Sequence, residues 1–192
     1  MISPRNTLEL DERLASDRTK GTYLIDTLRS RVGFSVRHLT GRVRGAFGHV
    51  SGIVIHDSQR PEATSVRITI QSASVTTHSI PRDVRLRSAG FLDVRAFPEI
   101  TFVSTVARRL GRKLEVIGEL TLHGVSRPVT VNVGRTRTSP VAMGRDSSIG
   151  ASVRALVRRL EFGVGPSSEL AIGGLLIGDE VAVEIDLEFL HP

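Results

Sequence analysis

The chain has 192 residues, enough for one domain whose core needs no covalent or metal staple. With 40% hydrophobic and 24% charged residues it is not a mainly disordered chain, and with no cysteine it has no disulfide scaffold, thiolate metal site or thiol nucleophile. Lys and Arg outnumber Asp and Glu by 26 to 20, a net charge of +6 with a pI near 11.0. The cations form no basic run and aromatics are only 4%, so nucleic acid is not expected as a partner. No apolar run reaches the length of a transmembrane helix. Only Lys20 and Lys113 are lysines, so almost all the positive charge is arginine. That pattern fits a solvated surface, with peripheral contact with an anionic membrane surface as the sharper alternative.

Residues 1–19 read as a polar tail, with one short helix over Leu8–Leu14 and no apolar stretch of signal-peptide type. The expected compartment is therefore the cytoplasm. From residue 20 to 192 a single domain follows, dominated by period-two alternation. Val32, Phe34 and Val36 share one parity. Phe47, Ile53 and Ile55 share parity across Val43–Asp57, a stretch interrupted by glycines. Val66, Ile68 and Ile70 alternate with Arg67, Thr69 and Gln71. Pro81–Asp93 is the helical candidate, limited to one or two turns because Val84 and Leu86 share no clean face. Ile100, Phe102, Ser104 and Val106 form the next row, and Leu114, Val116, Gly118, Leu120 and Leu122 another. Val129, Val131 and Val133 follow, then a weaker row from Ile149 to Val157. The row Val181, Val183, Ile185, Leu187 and Phe189, opposed by Ala182, Glu184, Asp186 and Glu188, is the clearest.

About eight strands with one wet face each imply antiparallel pairing, and no βαβ alternation supports a parallel sheet. Their apolar faces have no helical layer to cover them, so they must face one another. An eight-stranded antiparallel barrel does this and removes open edges, with one short helix after the third or fourth strand. Small residues on the inward rows leave room for a ligand; the alternative is a lumen plugged by loops or by the helix. Glycines at 41, 45, 48 and 52 match no phosphate-loop spacing and read as bends of a curved strand.

Six histidines form no metal-binding spacing, and no serine nucleophile motif occurs. No metal, no cofactor and no catalytic residue is expected, and the chain does not read as an enzyme. His38 and His123 each end an apolar row, which places them at a barrel rim. Arg82 to Ser88 is dense in ions and reads as an exposed, salt-bridged helix surface, with a basic rim for an anionic headgroup as the sharper alternative.

Several blocks resemble the YceI-like family: Gly21–Asp26, Ser30–His38, Val75–Thr77, Arg82–Asp83, Leu86–Ser88, Phe91–Val94, Phe97–Phe102 and Gly118–Val129. They are collinear over residues 20–190, and jointly specific. The resemblance implies a lipocalin-like antiparallel barrel that binds a long apolar lipid, a polyisoprenoid or a fatty-acyl derivative, without general catalysis and often as a homodimer. The family's Asp-x-x-His-Ser pattern carries Arg29 here in place of His, and its Arg-x-Asp/Glu-Phe-Gly motif is kept as Arg159–Gly163. Strand parity then nominates Phe34, Val36, Ile68, Ile70, Phe102, Leu120, Leu122, Val131 and Phe162 as lumen wall. Phe91 and Phe97 flank the helix and are placed to close the mouth, and His38, Arg87 and His123 are the candidates for the polar end. Transport, storage or stress protection all fit such a binder. The alternatives are a dimeric interaction protein with a filled lumen, or an enzyme acting on a lipidic substrate at the mouth.

Overall fold

The computed structural model describes residues 20–38, 41–57, 59–111, 113–139, 148–166 and 177–190. The expected polar tail, with its short helix, lies outside them. Among the described residues there are eleven strand segments: β1 Lys20–Ile25, β2 Arg31–His38, β3 Gly41–Phe47, β4 Val50–Asp57, β5 Ser65–Gln71, β6 Val75–Thr76, β7 Glu99–Leu110, β8 Lys113–Leu122, β9 Val125–Ser139, β10 Ser148–Arg158 and β11 Ile177–Leu190. All pair antiparallel, in the order β1-β4-β5-β7-β8-β9-β10-β11, and β11 returns to β1 to close the ring. β2, β3 and β6 complete the wall beside β11.

Eight staves account for these eleven segments. β2 continues β1 along β11, because both pair antiparallel with that strand. β4 continues β3, since β3 pairs with β2 and β4 with β1. β6 continues β5 on the next position, pairing with β3 as β5 pairs with β4. The three breaks fall at one height. Gly48 N–H donates to the Ser74 carbonyl and Gln71 N–H to the His49 carbonyl. The Ser30 hydroxyl bridges the first break, donating to the Glu188 carbonyl and accepting from its N–H.

The break at Gly48–His49 corrects one sequence reading. Unbroken alternation groups Phe47 with Ile53 and Ile55. The chain instead changes phase there, so Val43 and Phe47 face inward above the break, and Val54 and His56 below it. A second change of phase occurs on β7, where the register shifts between Ser104 and Val106. Ala107 is buried and Val106 is exposed, so Val106 does not continue the row of Ile100 and Phe102. A bulge inserts one residue and turns every later side chain over.

Among the described residues one α-helix, α1 (Ile80–Arg87), follows the third stave. Pro81 occupies its first turn, where a missing N–H costs nothing. Its only acid, Asp83, turns inward: the Thr77 N–H and hydroxyl donate to Oδ1 at 2.7 and 2.6 Å, and the Thr76 hydroxyl donates to Oδ2 at 3.0 Å. These bonds, led by the Thr77 hydroxyl, hold the Asp83 carboxyl below its ordinary range despite the opposing cost of burial.

Two apolar clusters of buried side chains line the interior. The larger joins Ile25, Val50, Ile68, Phe102, Val116 and Leu187 around the middle of the barrel. The smaller joins Val75, Leu92, Val157, Phe162 and Val164 near α1. Two inward glycines make room for aromatic rings. A Cβ on Gly118 would lie 2.5 Å from Phe102 Cζ, and one on Gly45 would collide with the Phe34 ring.

Candidate functional site

The staves enclose a cavity of about 890 Å³, so the lumen is not filled by side chains. That volume lies in the upper part of the range of small-molecule sites, roughly 300–1,000 Å³. Its wall is built from the inward rows of the strands. Val129, Val131 and Val133 come from β9, Val153, Ala155 and Val157 from β10, and Val181, Val183, Ile185 and Leu187 from β11. The valines and alanines that alternate on these strands are short, and this leaves the space.

Polar groups are confined to the two ends. At the end that carries α1, the wall includes His38, Arg42, Ser79, Arg82, Arg85 and Arg159. Arg85 lies over the Phe91 ring, 5.4 Å from its centroid. Arg159 is only 8% exposed. It donates to the carbonyls of Gly178 (2.9 Å), Val164 (2.8 Å), Pro166 (3.3 Å) and Ile177 (3.0 Å). Burial pulls its guanidinium below the ordinary arginine range, partly offset by the nearby charge of Asp179. No carboxylate lies within salt-bridge distance of Arg159 among the described residues. No Asp or Glu lines the cavity among them either.

The opposite end holds Tyr23, His56 and Thr64. The Thr64 hydroxyl donates to the Pro61 carbonyl at 2.5 Å, which uses its one proton. His56 Nδ1, 2.8 Å from Thr64 Oγ1, is therefore the donor in that contact. A neutral His56 then keeps Nε2 as an acceptor.

The sequence-nominated residues divide plainly. Phe34, Val36, Ile68, Ile70, Phe91, Phe102, Leu120, Leu122, Val131 and His38 lie on the cavity wall. Phe97, Phe162, Arg87 and His123 do not. Phe162 is 1% exposed inside the smaller apolar cluster. It belongs to a 3-10 turn (Arg159–Phe162), where strand parity no longer applies. The Phe97 ring packs edge-on against His123, with centroids 4.7 Å apart. His123 sits in the β8–β9 turn at φ 52°, with Nδ1 3.3 Å from the Phe162 carbonyl. Arg87 donates to the Ala73 and Val75 carbonyls at 2.9 and 2.6 Å and fastens α1 to the third stave. Arg29, where the resemblance expects His, lies in the turn between β1 and β2, 3.7 Å from the Asp26 carboxylate.

Sequence reasoning missed Arg42, Arg82, Arg85, Arg159 and His56 as wall residues. Arg159 was within reach, since it continues the inward parity of Val153, Ala155 and Val157. His56 was hidden by the phase change at Gly48–His49. No cluster of three metal-ligating side chains occurs among the described residues.

Residues 23–189 match the family model of the YceI-like domain. Protein YceI of Salmonella newport (strain SL254) is 42% identical over 101 residues, which is 52% of this chain and 53% of that protein. The match thus spans about half the length of that curated relative. BcnA of Burkholderia cenocepacia superposes with a TM-score of 0.73 at 24% identity, over 85% of this chain and 98% of that one. A polyisoprenoid binding domain from Saccharophagus degradans superposes at 0.64 with 19% identity, over 88% and 98%. At these identities both likenesses speak for the fold, and with the family match they give one conclusion: the chain belongs to the YceI-like family.

Proposed function

We propose that this barrel binds one long-chain apolar lipid, a polyisoprenoid or a fatty-acyl derivative, along its lumen, for transport or storage rather than for turnover. The observation that carries the reading is the 890 Å³ cavity, walled by aliphatic and aromatic side chains and polar only at its ends. Each CH₂ moved from water into such a lumen contributes roughly 0.8 kcal/mol, so affinity grows with chain length. The lining side chains of β8 run from Leu114 to Leu122, and at the rise and tilt of barrel strands this gives the lumen a length of roughly 20 Å, which suits an extended chain better than a compact ring system. The arginines at the α1 end favour a polar head there, and a negatively charged one most. A domain of this fold from Saccharophagus degradans that binds polyisoprenoids supports the ligand class.

Native mass spectrometry of gently purified protein, followed by solvent extraction, tests the reading and also reports whether two copies assemble. A stoichiometric long-chain lipid is expected, and Leu120→Arg, which places a charge on the apolar wall, should abolish its uptake in folded protein. A protein that remains free of ligand after incubation with prenyl and acyl lipids, or a Leu120→Arg variant that loads normally, overturns it.

A further inference from the structure

Helix α1 has two sides with different fates. Ser79, at its N-cap, and Pro81, Arg82, Arg85 and Leu86 line the cavity. On the opposite side Ile80 is 82% exposed and Val84 61% exposed. Four residues apart on a helix, they lie side by side on one face. The barrel leaves this apolar pair bare although the rest of the segment is carefully anchored. Asp83 is tied inward by Thr76 and Thr77, so α1 presents no negative charge to solvent. Arg87 is spent on backbone carbonyls. Arg82 is exposed, and Arg95 is exposed on the loop that follows; the one acid of that loop, Asp93, is half-buried.

We propose that α1 docks this end of the barrel onto an anionic lipid bilayer, with Ile80 and Val84 entering the acyl boundary and the exposed Arg82 and Arg95 meeting headgroup phosphates. The proposal rests on the lumen reading only for its purpose: a lipid passing between bilayer and cavity moves along the side of α1 and never crosses water. Two aliphatic side chains are too little for a protein interface, which needs about 800 Å² from each partner. They suffice for a shallow interfacial contact when basic residues add attraction to an anionic surface. Such a contact weakens with salt, because the arginine contribution is screened.

Flotation of the full chain with phosphatidylcholine vesicles, with and without phosphatidylglycerol, tests this directly. Association is expected only with the anionic vesicles and should fall as salt is raised. Ile80→Glu/Val84→Glu should weaken it roughly tenfold. Neither residue lines the cavity, so the variant should still take up a fluorescent fatty acid like the wild type. Wild-type protein that ignores anionic vesicles overturns the docking proposal whatever the lumen holds. So does a double variant that floats unchanged. If the wild type does not float and the double variant converts a native dimer to a monomer, the face belongs to a second copy and the proposal is overturned. Flotation lost in the double variant without fatty-acid uptake by either protein upholds docking and counts against the lumen reading instead.

Discussion

Asp83 and Arg159 are the two buried charges that organise the α1 end, and each is held by a different chemistry. The Asp83 carboxylate accepts three bonds from two threonines, so its folded-state pKa lies below the unfolded value near 3.9. Stability from this group is complete above that value and drains away as the pH falls through the lower, folded one. Melting curves of wild type and Asp83→Asn should therefore differ most near neutral pH and converge below about pH 4. A gap that stays constant through the acid range would sink this assignment. Arg159 has no carboxylate within salt-bridge distance among the described residues, but its guanidinium satisfies four backbone carbonyls at once. Arg159→Met leaves those acceptors without a donor and should cost roughly 2–4 kcal/mol in urea unfolding. Lysine, a point donor on a flexible stem, should recover only part of that loss. A methionine variant within about 0.5 kcal/mol of wild type would mean that water replaces the side chain at no cost.

At the level of elements, the alternating rows were legible wherever one parity runs unbroken. β8 and β11 are read correctly residue by residue, down to the outward Ile117. The same rule failed where the backbone adds or drops a residue, at Gly48–His49 and around Thr105, because composition does not reveal a bulge. It also fails past strand ends: parity places Phe162 on the wall, whereas the residue lies in a packed turn. The helix was legible in its place and its two turns, though it ends at Arg87 and not at Asp93, and its division of labour was not legible: which arginine faces the cavity depends on Asp83 being turned inward. Gly118 shows how fine the fitting is. It lies on the inward row of β8, and the Phe102 ring of β7 occupies the space a side chain would need. The Val103 carbonyl stands equally close, so Gly118→Ala should push the ring into the lumen and shift the β7 backbone, costing about 1–3 kcal/mol by overpacking and reducing lipid uptake. Unchanged melting and unchanged uptake would show that the ring has somewhere else to go.

Across the whole molecule, the three aligned breaks divide the wall unevenly. β7, β8, β9 and β10 run as long ladders, whereas β6 holds β3 through two residue pairs, Ala46↔Thr76 and Phe47↔Val75. The panel of β2, β3 and β6 beside α1 should therefore open locally before the rest. In native-state hydrogen exchange its amides should lose protection well ahead of those of β7 and β8, and a bound lipid should slow that loss. Uniform protection around the ring would refute the division. The closure of the ring has a consequence for how the chain is made. Ser30 and Glu188, which bridge the first stave to the last strand, stand 158 residues apart in sequence. During synthesis the first stave emerges long before its partner, and both its neighbour-seeking edge and the apolar lumen face stay open meanwhile. Such long-range pairing is slow because loop closure must precede any gain from contact. The interval before β11 arrives is thus the period of greatest aggregation risk for a nascent chain, and it ends only when the barrel abolishes its last free edge.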